Sequence, residues 1–95
     1  MIKVVAKNYV QEDKMDEVME LNKELVEATR KEEGCISYAV YQDEKDATIL
    51  TMIEEWENRD VLKKHMHSEH FTRIVPMLRK LRTKETEMNI YKKIF

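Results

Sequence analysis

Cys35 to Trp56, CISYAVYQDEKDATILTMIEEW, holds two β-prone runs with a polar break between them. CISYAVYQ is rich in β-formers, DEKDA interrupts it as a turn, and TILTMIEEW resumes it, so the stretch reads as a β-hairpin. That hairpin sets the centre of the fold. On its N-terminal side, Ile2, Val4, Ala6 and Asn8 alternate with Lys3, Val5, Lys7 and Tyr9, the period of a strand with two different faces. Met15, Val18, Met19, Leu25, Val26 and Thr29 then recur at helical spacing against a charged opposite side, with Asp13 as the candidate N-cap. The methionines in this stripe read as core filler. Lys31 to Gly34 closes the helix, and the chain's one glycine falls where a left-handed residue is usually required.

On the C-terminal side, Asn58 caps a short helix through about Met66 and Ser68 caps another, whose apolar stripe is Phe71, Ile74, Val75, Leu78 and Leu81. Pro76 inside that stripe predicts a kink or a restart. Glu85 to Phe95 alternates as a closing strand. The order is strand, helix, strand, strand, helix pair, strand: an α+β, ferredoxin-like split βαβ with a four-stranded antiparallel sheet. Helices then cover one face. The other retains Val5, Tyr9, Ala39, Tyr41, Ile49 and Ile53, an apolar patch expected to receive the sheet of a second copy.

A chain of 95 residues makes one domain, small enough for a partner subunit to add useful stability. Hydrophobic residues at 42% and charged residues at 38% describe a globular protein, and no apolar run approaches the roughly 18 residues of a membrane span. The N-terminus lacks the features of a signal peptide, so a cytoplasmic location is expected. Cys35 alone forms no internal disulfide and reads as a small strand residue. Net charge is −2 with the signs interleaved, which argues against nucleic-acid binding. Arg79, Lys80, Arg82 and Lys84 gather at a helix end, where cations complement the dipole without a ligand. With one glycine there is no phosphate loop or dinucleotide fingerprint, so no cofactor is expected.

Chemistry-bearing residues concentrate between Trp56 and Phe71. Trp56 shares strand parity with Leu50, Met52 and Glu54, and reads equally as packing or as a flat wall for a planar ligand. His65 falls on the inward face with Val61 and Leu62, whereas His67 falls with Lys63 and Lys64 toward solvent. His70 lies in a first helical turn, where the dipole disfavours the imidazolium. Asn8 ends the inward set of the first strand, as a turn-former or as a donor to a substrate oxygen. Tyr38, with Ile36 and Val40, points inward; Tyr41 has the opposite parity and faces the expected partner. No carboxylate or cysteine completes a metal-ligand spacing with the histidines, so no metal is expected.

AKNYV (6–10), KEEGCISYAVYQDE (31–44), IEEWEN (53–58) and HMHSEHF (65–71) together resemble the antibiotic biosynthesis monooxygenase domain, with order and spacing kept over nearly the whole chain. The resemblance implies a ferredoxin-like domain pairing into a dimeric α+β barrel. It also implies cofactor-independent oxidation, by dioxygen, of a small electron-rich aromatic of quinol, polyphenol or anthrone type. Asn8 corresponds to the family's pocket asparagine and His65 to its helix histidine. On that likeness His65 takes a phenolic proton with His70 as helper, Asn8 hydrogen-bonds the developing oxyanion, Trp56 and Phe71 wall the ring, and Tyr38 adds a phenol. Haem-degrading relatives place a second Trp near His65 and a haem-ligating His near Val75; this chain has neither. An isomerase using the same groups for enolisation and a non-catalytic ligand-binding dimer are the alternatives, the former needing a cationic contact that the sequence does not identify inside the pocket.

Overall fold

In the computed structural model, which describes residues 1–95, the hairpin forms as β2 (Cys35–Gln42) and β3 (Ile49–Trp56), paired antiparallel. β1 (Ile2–Tyr9) pairs with the other edge of β3, and β4 (Glu87–Lys92) pairs with β1, giving the sheet order β2-β3-β1-β4. The closing strand is therefore shorter than the Glu85 to Phe95 alternation suggests. Three helices, α1 (Met15–Thr29), α2 (Arg59–Met66) and α3 (Glu69–Arg79), complete the α+β fold. None is long and apolar enough to cross a membrane.

Strand parity assigns the inner face: Val4, Ala6 and Asn8 of β1, Leu50, Met52, Glu54 and Trp56 of β3, and Tyr38 of β2 are buried. Val18 and Leu25 of α1, Leu62 of α2, and Ile74, Val75 and Leu78 of α3 close over them. Val5, Tyr9, Ala39, Ile49 and Ile53 lie on the opposite, uncovered face, with Tyr41 fully at the surface.

Four local expectations change. The chain enters α1 through a 3-10 turn at Glu12–Lys14, so Asp13 sits inside that turn and Lys14 occupies the N-cap without a side-chain bond. A register shift between Cys35 and Ser37 turns Ile36 outward, 51% exposed, while Tyr38 stays inside. α3 runs through Pro76 without a break. Pro76 lies on the exposed side, so the backbone bond it forfeits is on the solvent side while Ile74, Val75 and Leu78 hold the helix to the sheet. Gly34 does adopt φ +86, but it sits beyond the helix end, where the loop crosses α2. An added Cβ there would come within 2.5 Å of Val61 Cγ1, so the close approach demands glycine as much as the backbone angle does.

The expected caps of α2 and α3 are present: Asn58 Oδ1 accepts from the Val61 amide at 3.0 Å, and Ser68 Oγ accepts from the Phe71 amide at 3.3 Å. These caps fix where His65 and His70 enter the core.

Candidate active site

The alternation of β3 places a carboxyl in an otherwise apolar row, Leu50, Met52, Glu54, Trp56. Glu54 is 5% exposed, and burial, with a smaller contribution from the negative charge of Glu32, pushes its pKa up to about 7. Trp56 opposes that shift. Its indole Nε1–H donates to Glu54 Oε1 at 2.9 Å and favours the ionised form.

Glu54 faces a cavity of about 360 Å³ between the inner sheet and α3, a size at the lower end for small-molecule sites. Ala6, Met52, Phe71, Val75 and Met88 make its apolar wall, and Asn8, Tyr38, Arg79, Arg82, Glu85 and Thr86 supply the other polar groups. Asn8 Oδ1 accepts from Thr86 Oγ1 at 2.6 Å and its Nδ2 donates to the Ala6 carbonyl at 3.2 Å, which leaves one amide hydrogen uncommitted. The Tyr38 hydroxyl donates to Met52 Sδ at 3.2 Å, and burial together with Glu54 raises its pKa, holding the phenol neutral. Arg82 is half-buried, and desolvation and the neighbouring Arg79 charge lower its pKa.

His65 lies behind this wall. It is 2% exposed and absent from the cavity lining. Its ring is packed against Trp56 at 4.7 Å, Phe71 at 5.0 Å and Tyr38 at 5.6 Å between centroids. Burial lowers its pKa against the opposing pull of Glu32, so the imidazole is neutral and donates Nδ1–H to Glu32 Oε2 at 2.6 Å. His70 Nε2 meets the same oxygen at 2.7 Å. A single carboxylate from the α1–β2 loop thus pins both histidines.

The structure brings Asn8, Tyr38 and Phe71 to the cavity, and leaves Trp56, His65 and His70 outside its lining. Tyr38 and Phe71, which line the cavity, both pack against the His65 ring. His67 is exposed, as its helical position predicts. Glu32, His65 and His70 offer three ligand atoms within 4.8 Å of one another, so a carboxylate does complete a group able to hold a metal ion. Both nitrogens are already satisfied by one Glu32 oxygen, and the arrangement is complete as a hydrogen-bonded lock.

Sequence reasoning missed Glu54, Arg79, Arg82, Thr86 and Glu32. A glutamate at the inward parity of β3, beside Trp56, is the one signal that was available. In sequence Arg79 and Arg82 read as a helix-end charge cluster, and only the tertiary path after α3 shows that they line the cavity.

Residues 1–77 match the family described as antibiotic biosynthesis monooxygenase. A conserved protein from Methanosarcina mazei Go1 has the same fold at a TM-score of 0.95 with 52% identity, over 97% of this chain and 91% of that one. A crystal structure titled antibiotic biosynthesis monooxygenase superposes at 0.96 with 35% identity, covering 99% of both chains. The uncharacterized protein sll1783 of Synechocystis sp. is 38% identical over 90 residues, 94% of this chain. This chain spans 61% of that relative's length. The family match over residues 1–77, carried on the same sheet and helices as these solved structures, means that the chain belongs to the antibiotic biosynthesis monooxygenase family.

Proposed function

We propose that the cavity oxidises a small electron-rich aromatic of anthrone or quinol type with dioxygen, without a cofactor, and that Glu54 is its general base. The observation that carries this reading is a buried carboxyl with a pKa of about 7 facing a largely apolar pocket. A base poised near the working pH combines a useful ionised fraction with useful proton affinity. Glu54 takes the proton from an acidic methylene or phenol. The resulting anion passes an electron to dioxygen, the radical pair recombines, and water leaves. For an anthrone methylene the balance is CH2 plus O2 giving C=O plus H2O: one oxygen atom stays on carbon and the other departs with both hydrogens. The uncommitted amide hydrogen of Asn8 donates to the developing oxyanion, a contact whose loss costs about 10²–10³ in kcat at comparable sites. Phe71 and Tyr38 wall the ring. Trp56 and His65 act through Glu54 and the wall, as positioning residues.

Oxygen uptake with anthrone, menadiol and a carboxylated anthrone tests this. Wild type is expected to consume oxygen, and Glu54→Gln to be slower by about 10²-fold or more. Absence of enzyme-dependent uptake across such a panel, or full activity in Glu54→Gln, overturns it.

One observation favours a second reading. Arg79 and Arg82 supply the cationic contact that an isomerase of a small anionic carbonyl compound requires, and enolisation by Glu54 needs no oxygen. Turnover under strict anaerobiosis identifies that activity; ligand binding without turnover in either gas phase identifies a binding protein.

We also infer that the functional unit is a cytoplasmic homodimer, a second copy covering the apolar outer face of the sheet.

A further inference from the structure

We infer that Arg82, with Arg79 beside it, forms an oxyanion subsite at one end of the cavity, so that the ligand is a small planar molecule bearing a carboxylate or phosphate. The inference rests on the reading of the cavity as a substrate pocket. Arg82 is half-buried, yet its guanidinium takes part in none of the ion pairs of the fold, which engage Arg73, His65 and His70. Nor does its side chain make a hydrogen bond, whereas Arg30 and Arg73 both do. Removing a cation from water without a partner is costly, and a second cation nearby increases that cost. A ligand oxyanion removes the imbalance. Glu85, at the exposed rim, is the other carboxylate of the lining, and it lies beyond ion-pair distance of both arginines.

Arg82 is held by a backbone bridge to Val10, and Glu54 lies opposite Val4. Those two β1-side residues stand six positions apart, roughly 20 Å at 3.3 Å per residue. The long arginine stem spans part of that distance, and Ala6, Asn8 and Met52 floor the space between. Arg82 and Glu54 line the same cavity, and the planar guanidinium of Arg82 is suited to a bidentate oxyanion.

The test uses 2-naphthoate, 2-naphthyl phosphate and neutral 2-naphthol as probes, titrated by calorimetry into wild type, Arg82→Gln, Arg82→Lys and Glu54→Gln. Wild type is expected to bind at least one charged probe about tenfold or more tighter than the alcohol. The two charged arms distinguish carboxylate from phosphate. Arg82→Gln is expected to lose the preference, Arg82→Lys to keep part of it, and Glu54→Gln to retain it. Circular dichroism confirms that each variant is folded. Equal binding of all three probes, no binding by any, or a preference unchanged in Arg82→Gln overturns the inference. Charge preference in a protein that shows no turnover leaves the subsite standing and removes the proposed reaction instead.

Discussion

Trp56 donates its indole N–H to the carboxyl of Glu54, two residues earlier on the same face of β3, at 2.9 Å. The bond joins a wholly buried ring to the one carboxyl on the inner row of the sheet, and His65 packs against the indole with centroids 4.7 Å apart and planes inclined by 36°. Glu32 fixes His65 in turn. The packing chain Glu32, His65, Trp56, Glu54 therefore ends at the cavity, and its two ends act on Glu54 in opposite directions: the Trp56 bond lowers its pKa and the Glu32 charge raises it.

The first prediction uses the Trp56 bond. Trp56→Phe keeps an aromatic ring but removes the donor that favours the Glu54 carboxylate, so the Glu54 pKa rises above about 7. The ascending limb of the pH–rate profile is expected to move to higher pH, with a several-fold loss of rate at pH 7 and recovery on the alkaline plateau. A purely structural role for Trp56 predicts a uniform loss at every pH.

Glu32→Gln should act in the opposite direction. The Glu32 charge raises the Glu54 pKa, so neutralising it lowers that pKa and moves the rate profile to lower pH. The same substitution weakens the bonds to His65 and His70, at an expected cost of about 1–3 kcal/mol measured by urea denaturation. Profiles of the two variants displaced to the same side would contradict the assignment of Glu54 as the titrating base.

How much of this was legible in the sequence follows from which interactions are local. The hairpin, the caps at Asn58 and Ser68, and the inward parity of Asn8, Tyr38 and Trp56 follow from periods of two or 3.6 residues and from short-range turn chemistry. Ile36 faces outward because a bulge breaks that period, and nothing in CISYAV marks one. Glu32 and His65 meet across 33 positions, and Arg82 reaches the cavity only after the chain leaves α3. Such contacts are tertiary, and residue spacing carries no record of them. The same holds for the packing of Tyr38 and Phe71 against His65.

Stability should also report on Glu54. The folded protein keeps the Glu54 proton up to about pH 7, whereas the unfolded carboxyl releases it near 4.5. Between those values the native state binds more protons, so this group's contribution is fully present below about 4.5 and is lost as pH rises through 7, by roughly 3 kcal/mol in all. His65 works in the other direction, since its lowered pKa costs stability as pH falls. The Glu54→Gln minus wild-type difference isolates the first effect: the variant is expected to gain relative stability from about pH 5 to pH 7 and to level off above that. A difference that does not change with pH would place the folded pKa near its ordinary value.

The uncovered face of the sheet gives the last prediction. Ile53 is paired with Val5 on one side and Ala39 on the other, at the middle of the patch that also holds Tyr9, Tyr41 and Ile49. Tyr91 of β4 extends it, 52% exposed. A small domain gains from covering such a surface, and matching sheet faces pack about 10 Å apart without altering the inner core. Sedimentation of wild type is expected at twice the chain mass of 11.5 kDa. Ile53→Lys puts an ammonium group at the centre of the contact, where desolvation opposes association, while the outward side chain leaves the cavity lining untouched. The variant should sediment as a folded monomer with an unchanged circular dichroism spectrum. A wild-type monomer at micromolar concentration would rule out the dimer, and a dimer that tolerates Ile53→Lys would place its interface elsewhere and leave the outer face free.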